Sequence, residues 1–226
     1  MCGIFGMVLF EKNNTDLFKV KTIIRRLAIN SKPRGRVATG ISIATKNGIS
    51  TLKCALPADQ FVKLPEFRGI INDQMPRKKE FGLPYSIIGH TRYPTKGSKD
   101  NPSNNHPIET GSIVGVHNGM IHNDDELFKD LDDHEGKPVE RIGMVDSEII
   151  FRLVDIHSAG YKSNNSNTKD HKVYNPTSLA ISDASSKLAG TYACALQDSD
   201  NTKMLWLFRN HNPIAIHYYP SSDVMV

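Results

Sequence analysis

The chain has 226 residues and a formal charge of +4, with 28 Lys and Arg against 24 Asp and Glu. That length suits one large domain and is too short for the same domain plus a synthase of ordinary size. No run approaches the roughly 18 apolar residues of a membrane span, and Met1-Cys2-Gly3 has neither the basic start nor the length of a secretory leader, so no membrane partner is expected.

In chain order, Gly3 to Phe10 reads as a buried strand. Thr15 is a plausible N-cap for a helix with Leu17, Val20, Ile23, Ile24 and Leu27 on one face, ending before Pro33. Ile41-Ser-Ile43 and Ile49-Ser-Thr-Leu52 flank Asn47-Gly48, a hairpin signal, and Pro57, Pro65, Pro76 and Pro84 punctuate a less regular stretch. Ser86 to His90 and Ile113 to Val116 predict strands leading to an arginine loop and a His117-Asn118-Gly119 turn. Asn123-Asp-Asp-Glu126 starts a short helix through Leu131, and Asp146 opens another carrying Ile149, Ile150, Leu153, Val154 and His157. Residues 158–172 read as a solvated loop, followed by a helix near 177–188 and strands near 190–197, 203–209 and 213–219. Strands in runs with helices between them indicate an α+β fold of antiparallel sheets with helices outside.

Charge and cysteine usage narrow the chemistry. The clusters Arg25-Arg26, Lys32-Pro-Arg34-Gly-Arg36 and Arg77-Lys-Lys79 have no interleaved aromatics, so they read as solvated faces and not as a nucleic-acid site. Three cysteines without a CxxC pair argue against a disulfide framework and for a reducing, cytoplasmic location. Cys54 and Cys194 sit in alternating strand-like runs and read as inert core thiols. His90, His106, His117 and His122 share one third of the chain, yet no HxxxH or HExxH spacing joins them. No metal site is therefore expected, and no phosphate-binding or dinucleotide fingerprint calls for a cofactor.

Cys2 is the exception among the thiols. Once Met1 is removed it carries both a nucleophile and, on the same Cα, an α-amino group with a pKa of about 7.7–8.0 beside a thiol of about 8.5. Three further segments fit this chemistry: Gly89-His-Thr-Arg-Tyr-Pro-Thr-Lys-Gly97, Val116-His-Asn-Gly119 and Val145-Asp-Ser-Glu148. In this order, with Met-Cys-Gly-Ile at the start, they resemble the glutaminase domain of the class II glutamine amidotransferases, the N-terminal-nucleophile enzymes that take ammonia from glutamine. Arg34-Gly35, Asn105-His-Pro107, Leu188-Ala-Gly-Thr-Tyr-Ala193 and Arg209-Asn-His-Asn-Pro213 extend the likeness over most of the chain.

The resemblance implies two face-to-face antiparallel sheets between helical layers, a four-layer αββα sandwich, and a single glutaminase-type domain over 1–226. It implies Cys2 as nucleophile, Asn118 and Gly119 as oxyanion-hole donors, Arg92 for the glutamine carboxylate, Asp146 for its ammonium, Thr95 in a loop folding over the substrate, and Arg34 near the nucleophile. Lys96 stands where the hexosamine-phosphate synthases have histidine, and Val37-Ala38 replaces their Asp-Ser. Glutamine is the expected substrate, with a separate synthase or acceptor-using protein as partner. A stand-alone amide or γ-glutamyl hydrolase and an inactive glutamine-binding module are the alternatives.

Overall fold

A computed structural model of the chain describes residues 2–10, 16–75, 85–93, 96–135, 139–165, 175–220 and 224–226. Among the described residues ten strands form two sheets. They are β1 (Gly3–Leu9), β2 (Ala38–Thr45), β3 (Gly48–Cys54), β4 (Ser86–Arg92), β5 (Ile108–Thr110), β6 (Ile113–Ile121), β7 (Gly190–Asp198), β8 (Trp206–Asn210), β9 (Tyr218–Tyr219) and β10 (Val224–Met225). The first sheet has the order β3-β2-β4-β1-β10-β9 and the second β5-β6-β7-β8, with antiparallel pairing throughout.

Among the described residues six α-helices cover the outer faces: α1 (Leu17–Ser31), α2 (Ala58–Phe61), α3 (Pro65–Gln74), α4 (Asp124–Glu135), α5 (Ser147–Asn165) and α6 (Pro176–Lys187). Val20, Ile24 and Ala28 of α1 join Phe61, Phe67 and Ile71 from α2 and α3 in a core with Phe5, Met7, Ile41 and Ile87 of the six-stranded sheet. Leu127, Leu131, Ile150, Phe151 and Ala184 of α4 to α6 pack with Ile113, Tyr192, Cys194 and Leu196 of the other sheet. Between the sheets the apolar layer is thin, with Ile88, Val116 and Ala195 buried and Ile4 and Leu205 packed against them. Gln197 ties the layers with a polar bridge, accepting from Ser42 Oγ at 2.6 Å and donating to Ser86 Oγ at 2.9 Å. The result is the αββα sandwich.

Several local expectations change. Asp16, not Thr15, caps α1, its Oδ1 accepting from the Phe18 N–H at 2.9 Å; Thr15 lies outside the described residues. The helix that opens after Asp146 continues to Asn165, because Ser158 and Tyr161 keep an apolar or buried face toward the core despite polar neighbours. β8 begins at Trp206, so 203–205 are not strand, and of the stretch 213–219 only Tyr218–Tyr219 is strand, extended by the two hydrogen bonds His217 exchanges with Val226; Pro213 lacks an N–H to offer a ladder. Asn118 and Gly119 are not in a turn: both lie within β6, opposite Ala193 and Tyr192.

Candidate active site

The chain end carrying Cys2 is fixed by the sheet. Gly3 pairs with Thr91, so Cys2 lies alongside the residues leaving β4. A side chain at Gly3 would meet Thr91 Oγ1 at 2.6 Å, which is why the residue after the cysteine is the smallest one. The Cys2 thiol is bracketed by the main chain of Tyr93, whose N–H donates to Sγ at 3.3 Å while Sγ–H donates to its carbonyl at 3.4 Å. Arg34 Nε donates to the Cys2 carbonyl at 3.0 Å. Gly35 makes this approach possible, since a Cβ there would stand 2.3 Å from the Thr91 carbonyl oxygen.

Electrostatically the thiol is balanced between opposing influences. Burial pushes its pKa up, and Asp146 adds to that; the Tyr93 N–H donated to the sulfur and the Arg92 charge act the other way, and the net direction is upward. A thiol held protonated requires a base to become a nucleophile.

Asn118 faces the same cavity as Cys2, Arg34 and Asn212, a space of about 420 Å³. Its Oδ1 is buried without a hydrogen-bond partner, and its main-chain carbonyl accepts from Asn212 Nδ2 at 2.9 Å. Gly119 adopts φ +155°, and a Cβ there would stand 1.9 Å from the Thr191 carbonyl oxygen. Only glycine fits both that torsion and that contact. β6 is joined to the start of α5 twice, by Asp146 Oδ2 accepting from the Ile121 N–H at 2.8 Å and by a 2.8 Å bond between His117 Nδ1 and Ser147 Oγ. Asp146 thus spends one oxygen on β6.

Arg92 is buried, and its guanidinium is engaged by protein: Nη1 donates to Asn105 Oδ1 at 2.8 Å and Nη2 to the carbonyls of Lys96 and Gly97 at 2.7 Å each. The loop after β4 is therefore drawn back onto the arginine that precedes it. Thr95 lies outside the described residues. Three histidines fill the interior behind the site, with the ring centres of His90 and His106 4.1 Å apart and those of His106 and His117, steeply tilted, 6.5 Å apart. Burial first, then neighbouring charges, lowers His90 to about 3 and His106 well below its ordinary value. These rings are neutral packing elements. Among the described residues no group of three or more His, Cys, Asp and Glu could hold a metal ion.

Sequence reasoning missed the Tyr93 main chain, which carries no side-chain signature, and gave Asn105 and Asn212 no role. Both asparagines lie in the segments Asn105-His-Pro107 and Arg209-Asn-His-Asn-Pro213, so the signal was present without its meaning. It also missed that Lys96 pairs with Asp124.

A cysteine at the first strand's start, two antiparallel sheets face to face and helices on both outer faces define the N-terminal-nucleophile type of hydrolase fold. Over nearly its whole length the chain is similar to one part of the glutamine amidotransferases of class II type. It is 31% identical over 219 residues to a glutamine–fructose-6-phosphate aminotransferase of Gluconobacter oxydans, covering 96% of this chain and 30% of that enzyme. The enzyme of the same name from Thermococcus kodakarensis is 30% identical over 231 residues, covering 99% of this chain and 32% of its own. The chain thus spans about 30% of the length of the curated relatives it matches. No protein-family profile matches it. Among solved structures, the glutamine phosphoribosylpyrophosphate amidotransferase of Bacillus subtilis superposes with a TM-score of 0.62 at 16% identity, covering 98% of this chain and 40% of that one. That likeness establishes the fold.

Proposed function

We propose that this chain hydrolyses glutamine to glutamate and ammonia through a γ-glutamyl thioester on Cys2, as a single glutaminase-type domain. The observation that carries the reading is the convergence of the Cys2 thiol, held at a strand start by Tyr93 and Arg34, with the Asn118 side chain on one cavity. With Met1 removed, the α-amine of Cys2 takes the thiol proton, which the upward-shifted thiol would otherwise keep. The thiolate adds to the side-chain amide carbon. Asn118 and the Gly119 N–H stabilise the oxyanion, ammonia leaves with the proton returned by the amine, and water then frees glutamate by the same route.

Arg92 and Asp146 bind the α-carboxylate and α-ammonium. A substrate carboxylate is a stronger partner for a guanidinium than two neutral carbonyls, so it exchanges with those of Lys96 and Gly97 and reorders the loop containing Thr95. The ammonia goes to a separate synthase or acceptor-using protein, in the cytoplasm, with neither nucleic acid nor membrane as partner. Among the described residues no helix is long and apolar enough to cross a membrane.

The test is glutamate release from glutamine by the processed protein and by Cys2→Ala, with mass spectrometry of acid-quenched enzyme. Turnover in the variant, or no acyl adduct on Cys2 in the wild type, would overturn the thioester route.

A further inference from the structure

The cavity beside Cys2 has two unlike ends. Cys2, Arg34, Asn118 and Asn212 meet at one of them, and the rest is lined by apolar side chains and by Cys194, with Ile4 and Leu205 on the sheets and Ile214 and Ile216 on the segment after β8. Along β1 the lining runs from Cys2 to Val8, six residue steps or roughly 20 Å of strand. This direction is opposite to Arg92 and the Lys96–Gly97 loop, which continue past Cys2 from the end of β4. Neither Arg92 nor Asp146 lines the cavity. It lies in the thin layer between the sheets, where Gly6, Ala193 and Ala195 supply little volume, and Pro213, Ala215 and Ile216 in its lining are exposed. A space of about 420 Å³ is within the range of small-molecule sites.

A substrate held by Arg92 and Asp146 on one side of the thiol presents its leaving nitrogen to the other. We propose that this cavity is an amine site, and that the chain transfers the γ-glutamyl group from Cys2 to apolar primary amines as well as to water. The inference rests on the thioester reading above. An apolar wall and the Arg34 cation both disfavour an ammonium, so the cavity selects the free base, which is the nucleophilic form. Its nitrogen lone pair adds to the thioester carbonyl, the C–N bond forms as the C–S bond breaks, and the amine proton passes to the Cys2 thiolate. Glutamine plus alkylamine gives γ-glutamyl-alkylamide plus ammonia.

The experiment supplies glutamine and a series of ethylamine, n-propylamine and n-butylamine at alkaline pH, with ethanolamine as a polar match to propylamine, and quantifies glutamate and γ-glutamyl-amide by mass spectrometry. The amide-to-glutamate ratio is expected to rise about fourfold per methylene and to be lower for ethanolamine than for propylamine. Ile214→Trp, and independently Leu205→Phe, should flatten that dependence while glutamate release from glutamine alone persists; two variants on different elements guard against one that misfolds. Glutamate with a ratio indifferent to chain length, or no amide at all, overturns the amine site and leaves the glutaminase reading standing. Absence of both glutamate and an acyl adduct on Cys2 overturns both.

Discussion

Lys96 Nζ lies 2.7 Å from Asp124 Oδ2, and that carboxylate is only 7% exposed at the start of α4. Arg141 completes the cluster, 2.7 Å from Asp125, 3.8 Å from Asp124 and stacked 4.0 Å above the Phe128 ring. The Lys96–Gly97 segment is thereby fastened on two sides, its carbonyls to Arg92 and the Lys96 ammonium to α4. Where the synthases have histidine, a longer cation reaches a helix whose first turn is acidic.

That fastening makes Lys96 a positioning residue for the glutamine loop. Lys96→Met should raise KM for glutamine up to about fivefold, the range of a partly exposed ion pair, with a smaller change in kcat, and Lys96→Arg should restore most of it. Wild-type KM should climb with ionic strength and the Met variant's should not. Equal salt dependence in the two proteins would remove the ion pair from the account.

Cys2→Ala should end turnover while glutamine still binds by calorimetry. Asn118→Ala should lower kcat by about 100- to 1000-fold with little change in KM, as removal of one oxyanion donor does. A variant that chiefly raises KM would place Asn118 in substrate binding instead.

Removal of Met1 should govern activity, because a preceding residue converts the Cys2 amine into an amide that accepts no proton. Specific activity should rise in proportion to the processed fraction measured by intact mass. Full activity with Met1 retained would require another base for a thiol whose pKa burial raises.

The buried histidines set a pH dependence of stability. His90 titrates near 3 in the folded chain and near 6.5 when unfolded, so between these values the unfolded state binds the extra proton. Stability is fully present above about 6.5 and falls as pH drops, by about 1.4 kcal/mol per pH unit for each such histidine. His106 shifts in the same direction and adds to the slope. Urea unfolding between pH 7 and pH 4 checks this, and His90→Gln, if folded, should shallow the slope.

Much of the sandwich was legible because its elements carry their own periodicity: α1 shows an i, i+3, i+4 face, and Asn47-Gly48 marks the β2–β3 hairpin without help from the rest of the chain. The polar segment from 158 was misread since α5 keeps only a narrow inward face there, and composition outweighed spacing. The candidate residues were legible as motifs, but the contacts among them were not. Nothing in Asn118-Gly119 distinguishes a turn from a strand, because the deciding contact is with Thr191, 72 residues away along the chain. The engagement of Arg92 by its own loop is likewise a matter of three-dimensional closure.

Because Asn118 and Gly119 belong to the β6–β7 ladder, opposite Ala193 and Tyr192 and beyond the stretch that β5 covers, they cannot wander unless that ladder opens. The β6–β7 ladder should open only with the most protected unit of the domain, whereas the Lys96–Gly97 segment should exchange with solvent deuterium early. Warming would then erode substrate grip well before it disturbs the groups that face the developing oxyanion, and loss of those would coincide with the cooperative melting of the sandwich itself.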